Sequence, residues 1–389
     1  MYSSKIKENL IYKIIDADNS NYINNNDELF RLNYNIQEKL NIQKNKIDAI
    51  YNENPKTWDK VKKFTNEYEF IYTNHSNLYK NISNIYPISR SYFKLWEILH
   101  DFNLINIENN EQKYITCHLA EGPGGFIECI YKYINKYITD NFNNILIYGN
   151  TLINTNSTIP KWKIRKDMIN KYNIRLNNKK FSNGDLYNIE EIEKLIRLIG
   201  ENKCELITAD GGFDFSNDYN SQEKLFLRLF VSEIYLILNL LKKNGNAIIK
   251  IYDIFSELSI KLIYIIKMFF EDIYIIKPYT SRPANSEKYI LCKNMKIINE
   301  KNFYFDIFKE IIIKNDINIL NKYNILINKD FLQNILNYNI WYSNRQIKYI
   351  NNTISLIQTI NKDDNYDLKP LYNDNKTHCI NWCKNYDIL

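Results

Sequence analysis

The sequence predicts an α/β fold, a doubly wound and mostly parallel sheet with helical extensions at both ends. Three observations carry that expectation. From about residue 86, short apolar runs alternate with amphipathic helical segments, the pattern of βαβ units. One run, Tyr114-Ile115-Thr116-Cys117-His118-Leu119, meets the turn Glu121-Gly122-Pro123-Gly124-Gly125 and then the helical spacing of Phe126, Ile127, Ile130 and Tyr131. Another, Leu206-Ile207-Thr208-Ala209, ends on Asp210-Gly211-Gly212. Six of the nine glycines lie in these two turns and in Asn183-Gly184-Asp185, so tight backbone turns are concentrated there.

The elements follow in order. Residues 1–85 are polar and Asn-rich and read as helices and loops, an N-terminal helical extension. Phe93, Leu95, Trp96, Ile98 and Leu99 make 91–99 a helix. A strand at 114–120 leads to a helix at 124–138 and a strand at 145–148. Residues 151–182 read as irregular and basic, with Lys161, Lys163, Arg165 and Lys166. Then come a helix at 190–198, a strand at 206–209, and a long helix at about 221–243 stopped by Asn244-Gly245. A strand at 247–252, a helix at 258–270 and strands at 273–276 and 289–292 complete the sheet. The last connection is too short for a parallel crossover, so the final pair is expected to be antiparallel. Phe331, Ile335, Leu336, Ile347, Ile350, Ile354 and Ile357 give the remainder helical spacing. The expected division is 1–85, 86–298 and 299–389.

Composition sets limits. The net charge of +6 permits a polyanionic partner without establishing one. Abundant Asn, Ile, Lys and Tyr fit an AT-rich coding bias. The six cysteines form no C-x-x-C pair, and the spacing of His378, Cys379 and Cys383 matches no common zinc pattern, so they read as structural, with no metal expected. No apolar run reaches about 18 residues without charge, and the first residues carry no signal-peptide pattern, so a soluble, intracellular, non-secreted protein is expected.

The candidate chemistry lies at the ends of the strands. The turn at 121–125 lacks the G-x-G-x-x-G spacing, so it suits a ligand without a pyrophosphate, such as S-adenosylmethionine. Asp210 ends a strand at the crevice edge, and Gly211-Gly212 behind it leaves no room for a capped helix. Lys250 interrupts an apolar strand, where an amine needs partners. Lys94 stands in an apolar helix, and Glu287 at a loop-to-strand junction. Two lysines and two carboxylates could surround a substrate hydroxyl, one lysine accepting its proton if the other cation and a nearby sulfonium lower its pKa. No metal is required.

Four stretches resemble the FtsJ-type (RrmJ-like) RNA 2′-O-methyltransferases: Arg90-Ser91-Tyr92-Phe93-Lys94-Leu95-Trp96-Glu97-Ile98, Leu119-Ala120-Glu121-Gly122-Pro123-Gly124-Gly125-Phe126, Ala209-Asp210-Gly211-Gly212-Phe213 and Thr280-Ser281-Arg282-Pro283-Ala284-Asn285-Ser286-Glu287-Lys288-Tyr289. The last two resemble the mRNA cap-1 branch of eukaryotes and large DNA viruses. The resemblance covers about 58–295 and continues weakly through Gln346-Ile347 and Trp382-Cys383.

It implies a Rossmann-like core that uses S-adenosylmethionine to methylate the ribose 2′-oxygen of the first transcribed nucleotide of capped mRNA. The family's Lys-Asp-Lys-Glu tetrad carries over to Lys94, Asp210, Lys250 and Glu287, with Lys250 as base or hydroxyl-orienting group. Cofactor contacts carry over to Glu121, Gly122, Pro123, Gly124, Gly125, Phe126 and Asp210, with Asp185 toward the adenine. Where many methyltransferases have an acidic residue for the ribose, this chain has Gly149-Asn150-Thr151, which makes Asn150 the ribose candidate. Lys60, in a segment similar to one that touches the capped end, joins Arg90, Asn220 and Arg282 as candidates for RNA and cap contact. Trp58, Trp162 and several tyrosines are candidates for stacking on the cap guanine. The implied partners are the capped mRNA 5′ end and other capping or transcription proteins. The implied compartment is cytoplasmic for a viral chain and nuclear for a cellular one. Alternatives are rRNA or tRNA ribose methylation and a non-catalytic RNA-binding subunit.

Overall fold

A computed structural model describes residues 10–14, 22–23, 28–73, 81–107, 112–154, 159–212, 219–298, 301–363 and 365–389. Phe213 and the first nine residues lie outside the described residues.

An eight-stranded sheet has the order β1-β8-β9-β7-β6-β3-β4-β5. These strands are β1 (Ile11–Ile14), β3 (Tyr114–Leu119), β4 (Ile145–Gly149), β5 (Ile174–Leu176), β6 (Cys204–Ala209), β7 (Leu241–Ile251), β8 (Phe270–Ile276) and β9 (Lys288–Met295). β2 (Tyr22–Ile23) pairs separately with β10 (Ile327–Asn328). The strands β5, β4, β3, β6 and β7 run parallel, while β9 is antiparallel to both β7 and β8, as the short connection required. The chain leaves β3 toward β4 and β5, then returns to lay β6 and β7 on the other side. This Rossmann-like reversal opens a crevice at the carboxyl ends of β3 and β6.

Alternation along the strands feeds two cores. Ile115, Cys117, Leu119, Ala247, Ile249 and Ile290 face one layer, whereas Tyr114, Ile145, Ile147, Ile248, Tyr289 and Leu291 face the other. The first layer is packed by α6 (Ile189–Ile199), α7 (Gln222–Leu240), α8 (Glu257–Phe269) and α9 (Lys301–Lys314). The second is packed by α3 (Ser91–Phe102), α4 (Gly125–Tyr137) and α11 (Lys369–Asn385). A smaller cluster joins α1 (Glu28–Glu53), α2 (Pro55–Val61) and α10 (Lys329–Lys362) through Leu40, Trp58, Val61, Phe255 and Ile350. Both extensions therefore pack onto the sheet domain. No helix among the described residues is long and apolar enough to cross a membrane.

Three expectations are corrected. The N-terminal segment supplies an edge strand as well as helices, with Ile11 paired to Ile276, and four residues are too few to show strand alternation. The segment 151–182 contains α5 (Lys166–Lys171) and β5, whose short runs are masked by surrounding Lys and Asn. The long helix ends at Leu240, and Asn244-Gly245 lies inside β7. The register against β6 slips there, from Cys204 opposite Leu241 to Leu206 opposite Asn246, and Asn244 takes φ +63 in the bulge.

Candidate active site

The turn after β3 is built from within. Glu121 Oε1 accepts the amides of Phe126 at 2.5 Å and Ile127 at 3.3 Å, capping α4. Burial, with Asp210 nearby, pushes the Glu121 carboxyl well above its usual range. Gly124 has φ +116, and a Cβ there would lie 2.6 Å from Ile164. A Cβ at Gly122 would lie 2.5 Å from the Pro160 carbonyl, and one at Gly125 would collide with Ser91 Oγ. The glycines are therefore required by the approach of 159–165 and of α3, an argument the sequence had reserved for a ligand. The Pro123 carbonyl accepts the Lys163 amide at 3.0 Å. Phe126 is fully buried, so its side chain belongs to the core.

β4 brings a second wall. The Asn150 amide donates to the His118 carbonyl at 2.9 Å, and its own carbonyl accepts the Glu121 amide at 3.0 Å. Its side-chain Oδ1 is buried without a hydrogen-bond partner. Asn177 braces the next residue, accepting the Thr151 amide at 3.0 Å and donating to its carbonyl at 2.8 Å. Gly184, at φ +75, packs against that carbonyl and leaves no space for a Cβ. The same turn brings half-buried Asp185 alongside, its Oδ1 accepting the Tyr187 amide at 2.8 Å.

The four tetrad candidates form two ion pairs. Lys94, from α3, places Nζ 2.6 Å from Glu287 Oε1, with both side chains about 15% exposed (14% and 15%). Lys250, at the end of β7, donates to the Asp210 carbonyl at 2.7 Å and lies 3.3 Å from Asp210 Oδ1. Tyr289, the cross-strand partner of Lys250, donates its hydroxyl to Asp210 Oδ1 at 2.9 Å. Ser281 donates to Glu287 Oε1 at 3.0 Å. Burial opposes the Glu287 charge, yet Lys94, Lys250 and Lys277 hold its carboxyl down at about 2. Burial likewise opposes the Lys250 charge, but Asp210, Tyr252 and Glu287 raise its pKa above the usual lysine value. Among the chain's own groups the direction is opposite to the lowered pKa expected with a sulfonium nearby.

The loop carrying Glu287 is braced from several elements. Lys277 Nζ donates to the Asn285 carbonyl at 2.9 Å, to Asn285 Oδ1 at 2.5 Å and to the Glu287 carbonyl at 2.6 Å. Glu97 accepts the Tyr279 amide at 2.8 Å, and the Tyr342 hydroxyl of α10 donates to the Asn285 carbonyl at 2.7 Å.

The cap-face candidates separate. Arg90 spends its five N–H groups on the carbonyls of Tyr68, Glu69, Tyr72 and Thr280, so it locks two loops together and has no donor left for RNA. Arg282 clamps Glu69 through Nε at 2.9 Å and NH2 at 2.7 Å. Asn220 donates to Asn45 Oδ1 at 2.7 Å, and Lys60 is exposed on α2. Trp58 is core, and half-buried Trp162 donates to Asn177 at 3.3 Å. Lys161, Lys163, Arg165 and Lys166 are exposed.

Sequence reasoning left Tyr289, Lys277, Glu69 and Glu233 without roles. The signal existed for two of them: Lys277 closes an apolar strand, and Glu233 is a lone carboxylate in an apolar helical run. The six cysteines are buried and unpaired, and Cys379 Sγ donates to the Glu67 carbonyl at 3.4 Å.

Known proteins are similar to this chain in sequence. The cap-specific mRNA (nucleoside-2'-O-)-methyltransferase 2 of Drosophila melanogaster is 28% identical over 234 residues, 55% of this chain and 31% of that protein. The inactive cap-specific mRNA (nucleoside-2'-O-)-methyltransferase 1B of Caenorhabditis briggsae is 29% identical over 262 residues, 63% of this chain and 30% of its own length. A probable methyltransferase of African swine fever virus is 30% identical over 224 residues, 54% of this chain and 50% of its own length. The chain thus spans under a third of the animal relatives and half of the viral one. The family model of FtsJ-like methyltransferases matches residues 87–295, more than half of the chain, and that stretch holds both ion pairs and all three glycine turns. The chain belongs to the FtsJ-like methyltransferase family.

Proposed function

We propose that this protein methylates the ribose 2′-oxygen of the first transcribed nucleotide of capped mRNA. The observation that carries the reading is the pair of largely covered ion pairs, Lys94–Glu287 and Lys250–Asp210, set at the carboxyl ends of the strands. The Gly122–Gly124 turn, Asn150, Asp185 and Asp210 would hold S-adenosylmethionine, and the buried, unpartnered Asn150 Oδ1 fits a group that accepts a ribose hydroxyl. When bound, that molecule supplies an electrophilic methyl group.

The chain's own residues supply orientation. Lys250 donates to the Asp210 carbonyl and pairs with its carboxylate, which holds the ammonium where another N–H can be aimed at the substrate hydroxyl. Asp210 is in turn held by Tyr289, and Glu287 holds Lys94. With its ammonium held by Asp210, Lys250 orients the hydroxyl oxygen, whose proton passes to water as the bond to the methyl carbon forms. Rate then comes mainly from alignment. The exposed cations of 161–166 and Lys60 form part of a phosphate-binding face, with the capped 5′ end as partner. The reaction belongs inside the cell, in the cytoplasm for a viral chain and the nucleus for a cellular one.

A test is methyl transfer to short m7G-capped and uncapped RNAs, followed by mapping of the modified nucleotide. Methylation at the first nucleotide of capped RNA alone supports the reading. Equal methylation of uncapped RNA favours a structured-RNA substrate, and no transfer with either favours a non-catalytic subunit.

A further inference from the structure

Glu233 of α7 is completely buried, and neither carboxyl oxygen has a hydrogen-bond partner of good geometry. It lies directly under the Asp210–Gly211 turn. A Cβ at Gly211 would be 2.5 Å from Glu233 Oε1, 2.6 Å from Leu229 Cδ2 and 3.2 Å from Ala120 Cβ, so the carboxyl and its neighbours occupy the space a side chain at 211 would fill. The Gly211 amide is the donor that faces it, and the charged groups that act on it are Lys250 and Asp210. The tetrad already balances two ammonium groups against two carboxylates. A further carboxylate buried beside them would be uncompensated, and burial accordingly pushes the Glu233 acid well above its usual range.

We propose that Glu233 is a positioning residue for methyl transfer, a buried polar strut packed under Gly211 that fixes the Asp210 turn on which Lys250 is held. The role rests on the activity proposed above. It goes beyond the tetrad because Glu233 acts through Asp210 and Gly211, and this carboxyl and Leu229 together require Gly211 to be glycine.

The experiment compares Glu233→Gln, Glu233→Met and Gly211→Ala in the full chain. Single-turnover methyl transfer to capped RNA, KM for each substrate, thermal melting and amide exchange over 209–212 are the readouts. Gln keeps a neutral acceptor and should hold the rate within about threefold with an unchanged pH profile. Met removes the acceptor, and Ala at 211 displaces it. Both should lower kcat about tenfold or more, with KM nearly constant and faster exchange at Gly211. A Gln variant as impaired as Met would show that charge is needed and overturn the strut. So would wild-type rate and exchange in Met or, if Met does not fold, in Gly211→Ala. Absence of transfer by the wild-type chain would overturn the activity alone, since the exchange comparison still decides the strut.

Discussion

Lys94 Nζ lies 2.6 Å from Glu287 Oε1, an ion pair that ties the first turn of α3 to the loop before β9. Neither segment defines the crevice alone. The pair exists because Glu97, one turn further along α3, accepts the Tyr279 amide and so docks that loop against the helix. The position of Lys94 is thereby coupled to the packing of the whole 277–288 loop.

Lys250→Ala should lower single-turnover methyl transfer about 10²-fold or more, with S-adenosylmethionine affinity by calorimetry nearly unchanged, because it removes alignment. Lys250→Arg should fail too, since a planar guanidinium cannot place one small ammonium between the Asp210 carbonyl and carboxylate. The wild-type rate should not climb with unit slope between about pH 7 and pH 9. Such a slope would identify deprotonated Lys250 as the base.

Tyr289→Phe removes one donor to Asp210 Oδ1 without changing core volume much. Hydrogen bonds to charged groups contribute about 1.5–3 kcal/mol to stability, so a fall in melting temperature of a few degrees is expected, together with a loss of about tenfold or more in rate because Asp210 is less firmly placed. An unaltered rate would exclude Tyr289 from holding Asp210.

Gly124→Val should abolish cofactor binding in calorimetry. The residue sits at φ +116 against Ile164, so any side chain strains the turn and displaces the 159–165 segment. Normal affinity in a folded variant would move the cofactor site elsewhere.

Glu69 should contribute to acid stability. Burial opposes its charge, but Arg90 and Arg282 hold its carboxyl at about 2. A depressed carboxyl stabilises the fold above its ordinary value of 4.5, and this contribution is lost as pH falls toward 2. Glu69→Gln should therefore lose about 3 kcal/mol at neutral pH, with a shallower fall of melting temperature in acid, measured by thermal denaturation across pH. Parallel curves for the two proteins would contradict this.

Affinity for a short capped RNA should fall as salt rises, because each neutralised phosphate releases counterions. Replacing Lys161, Lys163 and Lys166 by Gln should flatten the slope of binding against salt. An unchanged slope would place the phosphate path away from this segment.

The sequence by itself determined the layered α/β core and the antiparallel final pair, because each leaves a local mark, and it singled out Lys94, Asp210, Lys250 and Glu287 as candidates. Alternation sets which face of a strand is buried, glycines mark where a neighbour comes too close for a Cβ, and a lone charge in an apolar run announces a partner. Tertiary structure decided what those marks connect. Only the fold could show that Arg90 is consumed by four backbone carbonyls, that Arg282 is clamped on Glu69, and that Trp58 is core. It alone set the sign of the Lys250 shift, because that depends on Asp210, Tyr252 and Glu287 from three other places in the chain. Hydrogen-bond partners and electrostatic fields are distances in space, and local sequence patterns do not encode them.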